Sequence, residues 1–144
     1  MNSSNSAVQK QLEERILHDL GVAHGKIVLD GIKFEFDGMS EATIYEVYAG
    51  IDRLRSGQQH KISQDILKMV LYEKMVGRHI QKVIIVVDSK IADALSYEKH
   101  LSWKNRAIKE YGIEVRLAAI TPEERLMLEK AKEEQGGKFK NPKK

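Results

Sequence analysis

The spacing of apolar residues changes several times along the first half of the chain, and each change marks a new element. An apolar stripe at helical spacing predicts a first helix from Val8 to Leu20, which Gly21 ends. The three extended stretches that follow are "KIVLD" at 26–30, "IKFEFD" at 32–37 and "TIYEVYA" at 43–49. Asp-Gly pairs separate them as turns, so they are predicted to be strands of a meander.

Helices and strands alternate in the second half. The elements predicted there are a helix from Gln59 to Val76, the strand "KVIIVVD" at 82–88, a helical stretch at 89–111 that breaks near Tyr97, and the strand "IEVRLAAI" at 113–120. The continuous apolar run at 82–88 is typical of a strand that is covered on both faces. Trp103 and Tyr111 are predicted to be core residues of the helical stretch.

The last helix begins at "TPEE" by several local rules. Thr121 is the predicted N-cap, Pro122 takes the first helical position and Glu124 closes a capping box. Gly136 is predicted to end this helix. We therefore expect one domain at 1–135, followed by a basic flexible tail at 136–144, "GGKFKNPKK".

The resulting order is α-β-β-β-α-β-α-β-α, which predicts an α/β fold. The later strand–helix–strand units need parallel crossovers, whereas the early strands are joined by short turns. The sheet should therefore be mixed and flanked by helices. A chain of 144 residues fits a single domain of this kind.

Composition narrows the class of protein. With no cysteine the chain has no disulfide, no thiolate metal site and no cysteine nucleophile, which suits a reducing cytoplasm. No apolar run is long enough for a membrane span and the start lacks the apolar stretch of a secretory signal, so we expect a cytoplasmic protein without a membrane partner. A net charge of +3 permits binding to nucleic acid through phosphates without requiring it.

Two carboxylates lie on neighbouring predicted strands. Strict alternation places Asp37 with Lys33 and Glu35 on one face, and Glu46 with Tyr48 on a face of the next strand. If the strands are neighbours, Asp37 and Glu46 can converge, and with a backbone carbonyl they make an all-oxygen site that suits Mg²⁺ or Mn²⁺. The alternative is that both acids are solvated on an open strand face. The predicted covering helices favour the first interpretation, because a covered acid needs a partner or a metal.

These residues resemble a known family. Asp37, eight further residues, "EVY" at 46–48 and "GQQHKISQDILK" at 57–68, within a helix-β-β-β-helix-β order, are similar to the PD-(D/E)XK nuclease superfamily. The resemblance covers about residues 8–119 and implies a restriction-endonuclease-like fold. It also implies hydrolysis of DNA phosphodiester bonds with Mg²⁺ or Mn²⁺. Nucleases of this size often dimerise so as to cut two strands, so a homodimer is allowed.

The resemblance implies a role for three residues of this chain, and a fourth departs from the motif. Asp37 matches the motif aspartate, Glu46 matches the second acid, and the Val47 carbonyl would complete the protein ligands. Tyr48 stands where the motif has its lysine. A tyrosine can orient water but supplies no cation, so another residue must substitute or the site is inactive.

The helix at 59–76 offers substitutes. Superfamily members are known in which the lysine has moved to this helix, and we expect Lys61 in the first turn to take this role, with Lys68 as second choice. A helical wheel predicts that Lys61, Asp65, Lys68 and Tyr72 form a polar stripe opposite the apolar side. The alternative is a solvated face on which Lys61 and Asp65 pair at i,i+4.

A few further residues are candidates for the same site. Glu13 falls on the apolar side of the first helix and is either an extra metal or water ligand or a boundary residue with its head in solvent. Arg53, Arg55 and Gln58 could contact phosphates or bases from the loop before the second helix, or be merely solvated.

Three functions therefore compete on sequence grounds. The leading hypothesis is a metal-dependent nuclease that acts on DNA. The first alternative is a catalytically inactive nuclease-like module that binds DNA or serves assembly and has lost the lysine. The second is an unrelated α/β protein in which "EVY" is a coincidence.

Overall fold

The computed structural model describes the backbone of residues 3–140 and the side chains of residues 7–133. The helices are α1 (Ser3–Leu20), α2 (Ser56–Val76), α3 (Ser89–Ala94), α4 (Trp103–Glu110) and α5 (Pro122–Lys140). The strands are β1 (Ala23–Leu29), β2 (Ile32–Met39), β3 (Thr43–Tyr48), β4 (Gln81–Val86) and β5 (Glu114–Leu117). The predicted order is confirmed, and the predicted break near Tyr97 separates α3 from α4.

The five strands form one mixed sheet in which spatial order equals sequence order. β1, β2 and β3 pair antiparallel, whereas β3, β4 and β5 pair parallel. Asp30 and Gly31 both have positive φ, 50° and 77°, as a tight two-residue hairpin requires. The parallel neighbours are joined by longer crossovers, which α2 and then α3 with α4 supply. The predicted mixed sheet with flanking helices is therefore confirmed.

Helices cover both faces of the sheet, with a separate apolar core on each side. On one face α2, α3 and α4 pack through Ile62, Ile91 and Ile108. On the other face α1 and α5 pack through Leu12 and Leu128. β4 lies between the two cores and is buried along its length after the first residue. Its continuous apolar run follows from this double coverage.

α1 and α5 are joined by charge as well as by apolar contact. The Arg15 guanidinium donates to both carboxylate oxygens of Glu124, over 2.6 and 2.9 Å. Glu124 Oε1 also accepts from the Thr121 N–H at 2.8 Å, and the Thr121 hydroxyl accepts from the Glu124 N–H at 3.0 Å. The predicted capping box is therefore confirmed, and the same glutamate anchors the first helix to the last.

The polar stripe of α2 does not lie where the helical wheel predicted. Asp65 and Tyr72, expected opposite the apolar side, are each only 4% exposed and face the sheet. Tyr72 makes edge contacts with the rings of Phe34 and Phe36 at 5.3 and 5.2 Å. With Tyr72 packed on these rings, the side of α2 that faces the sheet also includes Asp65. The Asp65 carboxylate therefore lies in the interface between α2 and the sheet.

Two of the expected core residues are on the surface. Trp103 is 77% exposed and Tyr111 is 51% exposed, so the prediction that both belong to the core is wrong. α4 has only eight residues and buries Asn105 and Ile108 instead. Within the described residues, no helix is both long and apolar enough to cross a membrane.

The last helix is longer than predicted. α5 continues through Gly136 and Gly137 to Lys140, so the predicted end at Gly136 is wrong. Glycine costs only about 1 kcal/mol in a helix interior relative to alanine, which disfavours the helix without forbidding it. The remainder of the predicted tail, residues 141–144, lies outside the described residues.

An irregularity in β2 sets the position of Asp37. Asp37 and Gly38 together lie opposite the single residue His24 of β1, which is the arrangement of a β-bulge. As a result Phe36 and Met39, three residues apart, contribute to the same core. Strict alternation therefore fails at Asp37, because a bulge re-aims the side chains next to it.

Close packing beside this bulge gives a test of the fold. A β-carbon added at Gly25 would lie 2.3 Å from Met39 Cβ, whereas one at Gly57 would meet nothing within 4 Å. We expect Gly25→Ala to lower the free energy of unfolding by about 1–3 kcal/mol through overpacking. The matched Gly57→Ala, in the first turn of α2, should raise it by about 0.4–1 kcal/mol. Urea denaturation measures both changes, and equal midpoints for the two variants would contradict the register of β1 on β2.

Candidate active site

The candidate site lies where β2 and β3 part. The two strands pair only at Gly38 with Tyr45 and at Met39 with Ile44, so they separate beside Asp37 and Glu46. Asp37 Oδ2 accepts a hydrogen bond of 2.9 Å from the Val47 backbone N–H. The carboxylate thus takes the place of a ladder partner and holds Asp37 next to β3.

Glu46 is the buried carboxylate of this gap, with 1% of its surface exposed. Burial, and then the negative charges of Asp37 and Asp65, raise its pKa from 4.5 to about 8, although Lys68 opposes the rise. Lys68 Nζ lies 2.8 Å from Glu46 Oε2. Apart from this ion pair, Oε2 has no donor among the described residues. One lysine therefore compensates Glu46, and it does not outweigh the burial of the carboxylate and the two neighbouring acids.

Lys68 is held at the gap by several groups. Its Nζ donates to the Glu35 carbonyl oxygen at 2.8 Å, lies 3.5 Å from Asp65 Oδ1 and sits 5.0 Å from the centroid of the Phe36 ring. The side chain is 30% exposed, so its ammonium reaches from the solvent edge into the gap. Of the two predicted lysines, Lys68 is the one in direct contact with Glu46.

Tyr48 and Lys61 meet at Asp65. The Tyr48 hydroxyl donates a short hydrogen bond to Asp65 Oδ2, and Lys61 Nζ lies 3.1 Å from the same oxygen. Burial, followed by the charge of Asp65, raises the pKa of Tyr48 far above its ordinary value, so this phenol stays protonated. Burial alone would lower the pKa of Lys61, but the nearby charges of Asp65 and then Glu46 raise it overall, so Lys61 stays cationic.

Glu13 approaches Asp37 from α1. Burial, and then the charge of Asp37, raise its pKa from 4.5 to about 7, against the opposing effects of Lys61 and of a hydrogen bond from the Ala49 backbone. Glu13 and Asp37 both line a cleft of about 290 Å³ beside α1. The predicted orientation of Glu13 toward the sheet therefore brings it to Asp37, on the side of the sheet away from α2.

The donor set suits a hard divalent cation. Asp37, Glu46 and Glu13 offer only oxygen atoms, which is the preference of Mg²⁺ and Mn²⁺. The pKa values of Glu46 and Glu13 are both raised because burial and repulsion from Asp37 outweigh the nearby lysines. No three acidic or histidine side chains in the described part of the chain are already gathered as a ligand set. The residues therefore fit a divalent ion in chemistry, and the Val47 carbonyl remains a predicted ligand.

The residues predicted to contact nucleic acid flank the start of α2. Arg53 and Arg55 are exposed on the loop between β3 and α2. Gln58 instead has a local structural contact, because its Oε1 accepts from the Arg55 backbone N–H at 3.0 Å and so caps the helix. Its amide nitrogen lies beside Gly50, where an added β-carbon would approach it to 3.3 Å.

Sequence reasoning missed the residues that fix this loop. Asp52 has a positive φ of 71°, and its backbone N–H donates to Asp88 Oδ2 at 2.8 Å. Lys132 of α5 binds the Asp52 carboxylate at 2.5 Å. A positive φ at a residue other than glycine cannot be predicted from the sequence of this loop, although aspartate adopts it more often than most residues do.

The comparisons with known proteins add no family. The chain matches no protein-family model, and no curated protein and no solved structure shows significant similarity to it. The resemblance to the nuclease superfamily therefore depends on the residues and geometry described above.

The raised pKa of Glu46 predicts how stability depends on pH. The Glu46 carboxyl binds its proton more tightly in the folded protein than in the unfolded chain. Between pH about 4.5 and about 8, Glu46 is therefore protonated in the folded state and ionised in the unfolded state. The free energy of unfolding must therefore fall as pH rises through this window. In Glu46→Gln, which keeps the shape without the titration, the decline should be smaller. Urea denaturation from pH 5 to 8.5 measures this, with the exposed Glu41→Gln as control. Identical slopes in wild type and Glu46→Gln would contradict the raised pKa of this buried carboxylate.

Proposed function

We propose that this protein is a metal-dependent nuclease with a restriction-endonuclease-like arrangement of its mixed sheet, and that it hydrolyses phosphodiester bonds of DNA. The observation that carries the proposal is the meeting of Glu46, Asp37 and Lys68 at the gap between β2 and β3. Lys68 Nζ is 2.8 Å from a carboxylate that is 1% exposed and has a pKa raised to about 8. Strongly perturbed acids next to a specific cation are typical of functional sites.

Asp37 and Glu46 would hold the divalent ion, with the Val47 carbonyl and Glu13 as further oxygen donors. When bound there, Mg²⁺ or Mn²⁺ would polarise the phosphate and lower the pKa of the attacking water. The protein's own contribution is to hold the acids in place before any ion arrives. The Val47 N–H fixes Asp37 at 2.9 Å, and the surrounding strands fix Glu46.

Lys68 is the best placed residue to replace the missing strand lysine. Its ammonium lies against Glu46, as a lysine at position 48 would, but it comes from the facing helix α2. A cation there can orient the attacking water and stabilise charge that develops on the phosphate. Lys61 stays cationic 3.1 Å from Asp65 and supplies a second positive charge nearby.

DNA as substrate is supported by the charges around the gap. Arg53 and Arg55 are exposed on the loop that follows β3, and Lys61 is exposed in the early part of α2. Guanidinium and ammonium groups contact phosphates without reading sequence, so these residues would position the backbone at the acids. A homodimer that cuts two strands and a cytoplasmic location remain parts of the proposal.

One observation favours a second candidate, an inactive nuclease-like module that binds DNA or serves assembly. Tyr48 is buried with its hydroxyl committed to Asp65, so the strand position of the lysine cannot supply a cation. In such a module the acids would persist in the gap without turnover. DNA binding with no cleavage under any metal condition distinguishes this candidate from the nuclease.

Metal binding is the first test. Asp37 and Glu46 repel each other, so Mg²⁺ or Mn²⁺ should bind and raise the melting temperature, with a gain of about 2.7 kcal/mol at one hundred times the dissociation constant. Asp37→Asn should abolish this gain, whereas Asp93→Asn, an exposed acid that pairs with Lys99, should retain it. Titration calorimetry that detects no binding at millimolar metal would contradict the proposed site.

The position of the catalytic lysine is the second test. Lys68→Ala should lower the turnover of DNA cleavage by about 10²-fold or more, because it removes a cation that acts in the transition state. Lys61→Ala should have a smaller effect, since its ammonium contacts Asp65 rather than Glu46. The exposed Lys74→Ala, on the same helix, is the control. The assay uses duplex, single-stranded and branched DNA with Mg²⁺ and Mn²⁺, and Asp37→Ala as the inactive reference.

Two results of this assay would overturn parts of the proposal. Cleavage that survives both Lys68→Ala and Lys61→Ala keeps the enzyme and removes the helix lysines from its mechanism. An inert wild type combined with metal-dependent cleavage by Tyr48→Lys would identify the protein as the inactive module.

A further inference from the structure

A buried carboxylate joins the three side chains that surround Glu46. Asp65 is 4% exposed and lies at the interface between α2 and the sheet. Its Oδ2 accepts from the Tyr48 hydroxyl and from Lys61 Nζ, the latter at 3.1 Å, while its Oδ1 lies 3.5 Å from Lys68 Nζ. Each oxygen of Asp65 is therefore engaged by a donor or a cation that comes from the site.

These contacts distinguish Asp65 from Asp37 and Glu46, the acids proposed to bind the metal. Glu46 Oε2 has only the Lys68 ammonium beside it, whereas Asp65 Oδ2 accepts two hydrogen bonds and Asp65 Oδ1 also faces Lys68. A carboxylate so fully engaged has little capacity left for a metal ion, but it is well suited to fixing the groups that engage it. A buried carboxylate without such partners would be strongly unfavourable, so the partners hold the carboxylate as firmly as it holds them.

Tyr48 completes this arrangement from the strand side. Its hydroxyl is the neutral donor at Asp65, and its ring lies 5.3 Å from Lys61 Nζ in a cation–π contact. The strand position of the family's lysine is thus filled by a residue that contacts the helix carboxylate and one helix lysine. The described contacts of Tyr48 therefore connect it to Asp65 and to the Lys61 ammonium.

We propose that Asp65 is a positioning residue that fixes Lys68 at Glu46 and Lys61 at Tyr48, and that Tyr48 acts through Asp65 by orienting its carboxylate. The catalytic meaning of this inference rests on the proposed nuclease function, but the positioning itself does not. Tyr48, Asp65 and the two helix lysines then act together. β3 contributes a neutral hydroxyl that orients Asp65, and α2 contributes the positive charge.

The inference is tested first without any reaction. In the full chain, NMR order parameters of the lysine Cε groups should fall for Lys61 and Lys68 in Asp65→Asn, and to a lesser degree in Tyr48→Phe. Tyr72→Phe is the matched control, because it removes a hydroxyl from the same buried face while its ring still contacts Phe34 and Phe36. Circular dichroism confirms that each variant is folded. Unchanged order of both lysines in folded Asp65→Asn overturns the inference.

Kinetics give the second readout. Asp65→Asn should lower kcat by about 10-fold or more with little change in KM for DNA, because misplaced catalytic groups slow the chemical step. If Tyr48 acts through Asp65, kcat of the double variant Asp65→Asn with Tyr48→Phe should be no lower than kcat of Asp65→Asn alone. Independent roles would make the two reductions of kcat multiply. Multiplied losses, or wild-type kcat in Asp65→Asn, overturn the inference. A wild type that cleaves no DNA overturns the proposed function instead, and the order parameters still decide whether Asp65 positions the lysines.

Discussion

A carboxylate buried within a covered sheet is the constraint on which the rest of this site depends. Glu46 lies on β3 between two layers of helices, where an ionised acid is unstable unless it gains a proton, a cation or a metal. The neighbouring structure meets that demand in part. Lys68 brings a cation from α2, while Asp37, which the Val47 N–H holds beside β3, adds a second negative charge. The resulting imbalance, in which acids outweigh bound cations, is what gives this region an affinity for a divalent ion in our proposal.

Tyr48 carries no charge, so the positive charge beside Glu46 comes from α2. Lysine side chains are long and flexible, so a lysine that is held in one position needs a fixed partner, and Asp65 is buried beside Lys61 and Lys68. The aromatic contacts of Tyr72 that rotate α2 toward the sheet are part of the same arrangement, because they bring Asp65 inside.

Much of the fold followed from local patterns, and the exceptions share a physical cause. The element order, the mixed sheet and the capping box of Thr121 with Glu124 depend on periodicity and on neighbours in sequence, and these predictions are confirmed. Tertiary contacts decided the rest. The bulge that aims Asp37 depends on pairing with β1, and the burial of Asp65 depends on how α2 rotates against the aromatic residues of β2. Neither can be read from one strand or one helix. The sequence predicted the acids, both lysines and, as an alternative, the pair of Lys61 with Asp65, but not the contacts of Lys68 with Glu46 and of Tyr48 with Asp65.

The ion pair between Arg15 and Glu124 has a consequence for folding. These residues are 109 positions apart, and α1 meets α5 over the face of the sheet that carries Val47 and Ile85. Contacts between segments this distant in sequence raise the contact order of a fold, and folding is slower when long loops must close before such contacts form. We therefore expect α1 and α5 to pair later in folding than neighbouring elements such as β1 and β2, which a two-residue turn joins.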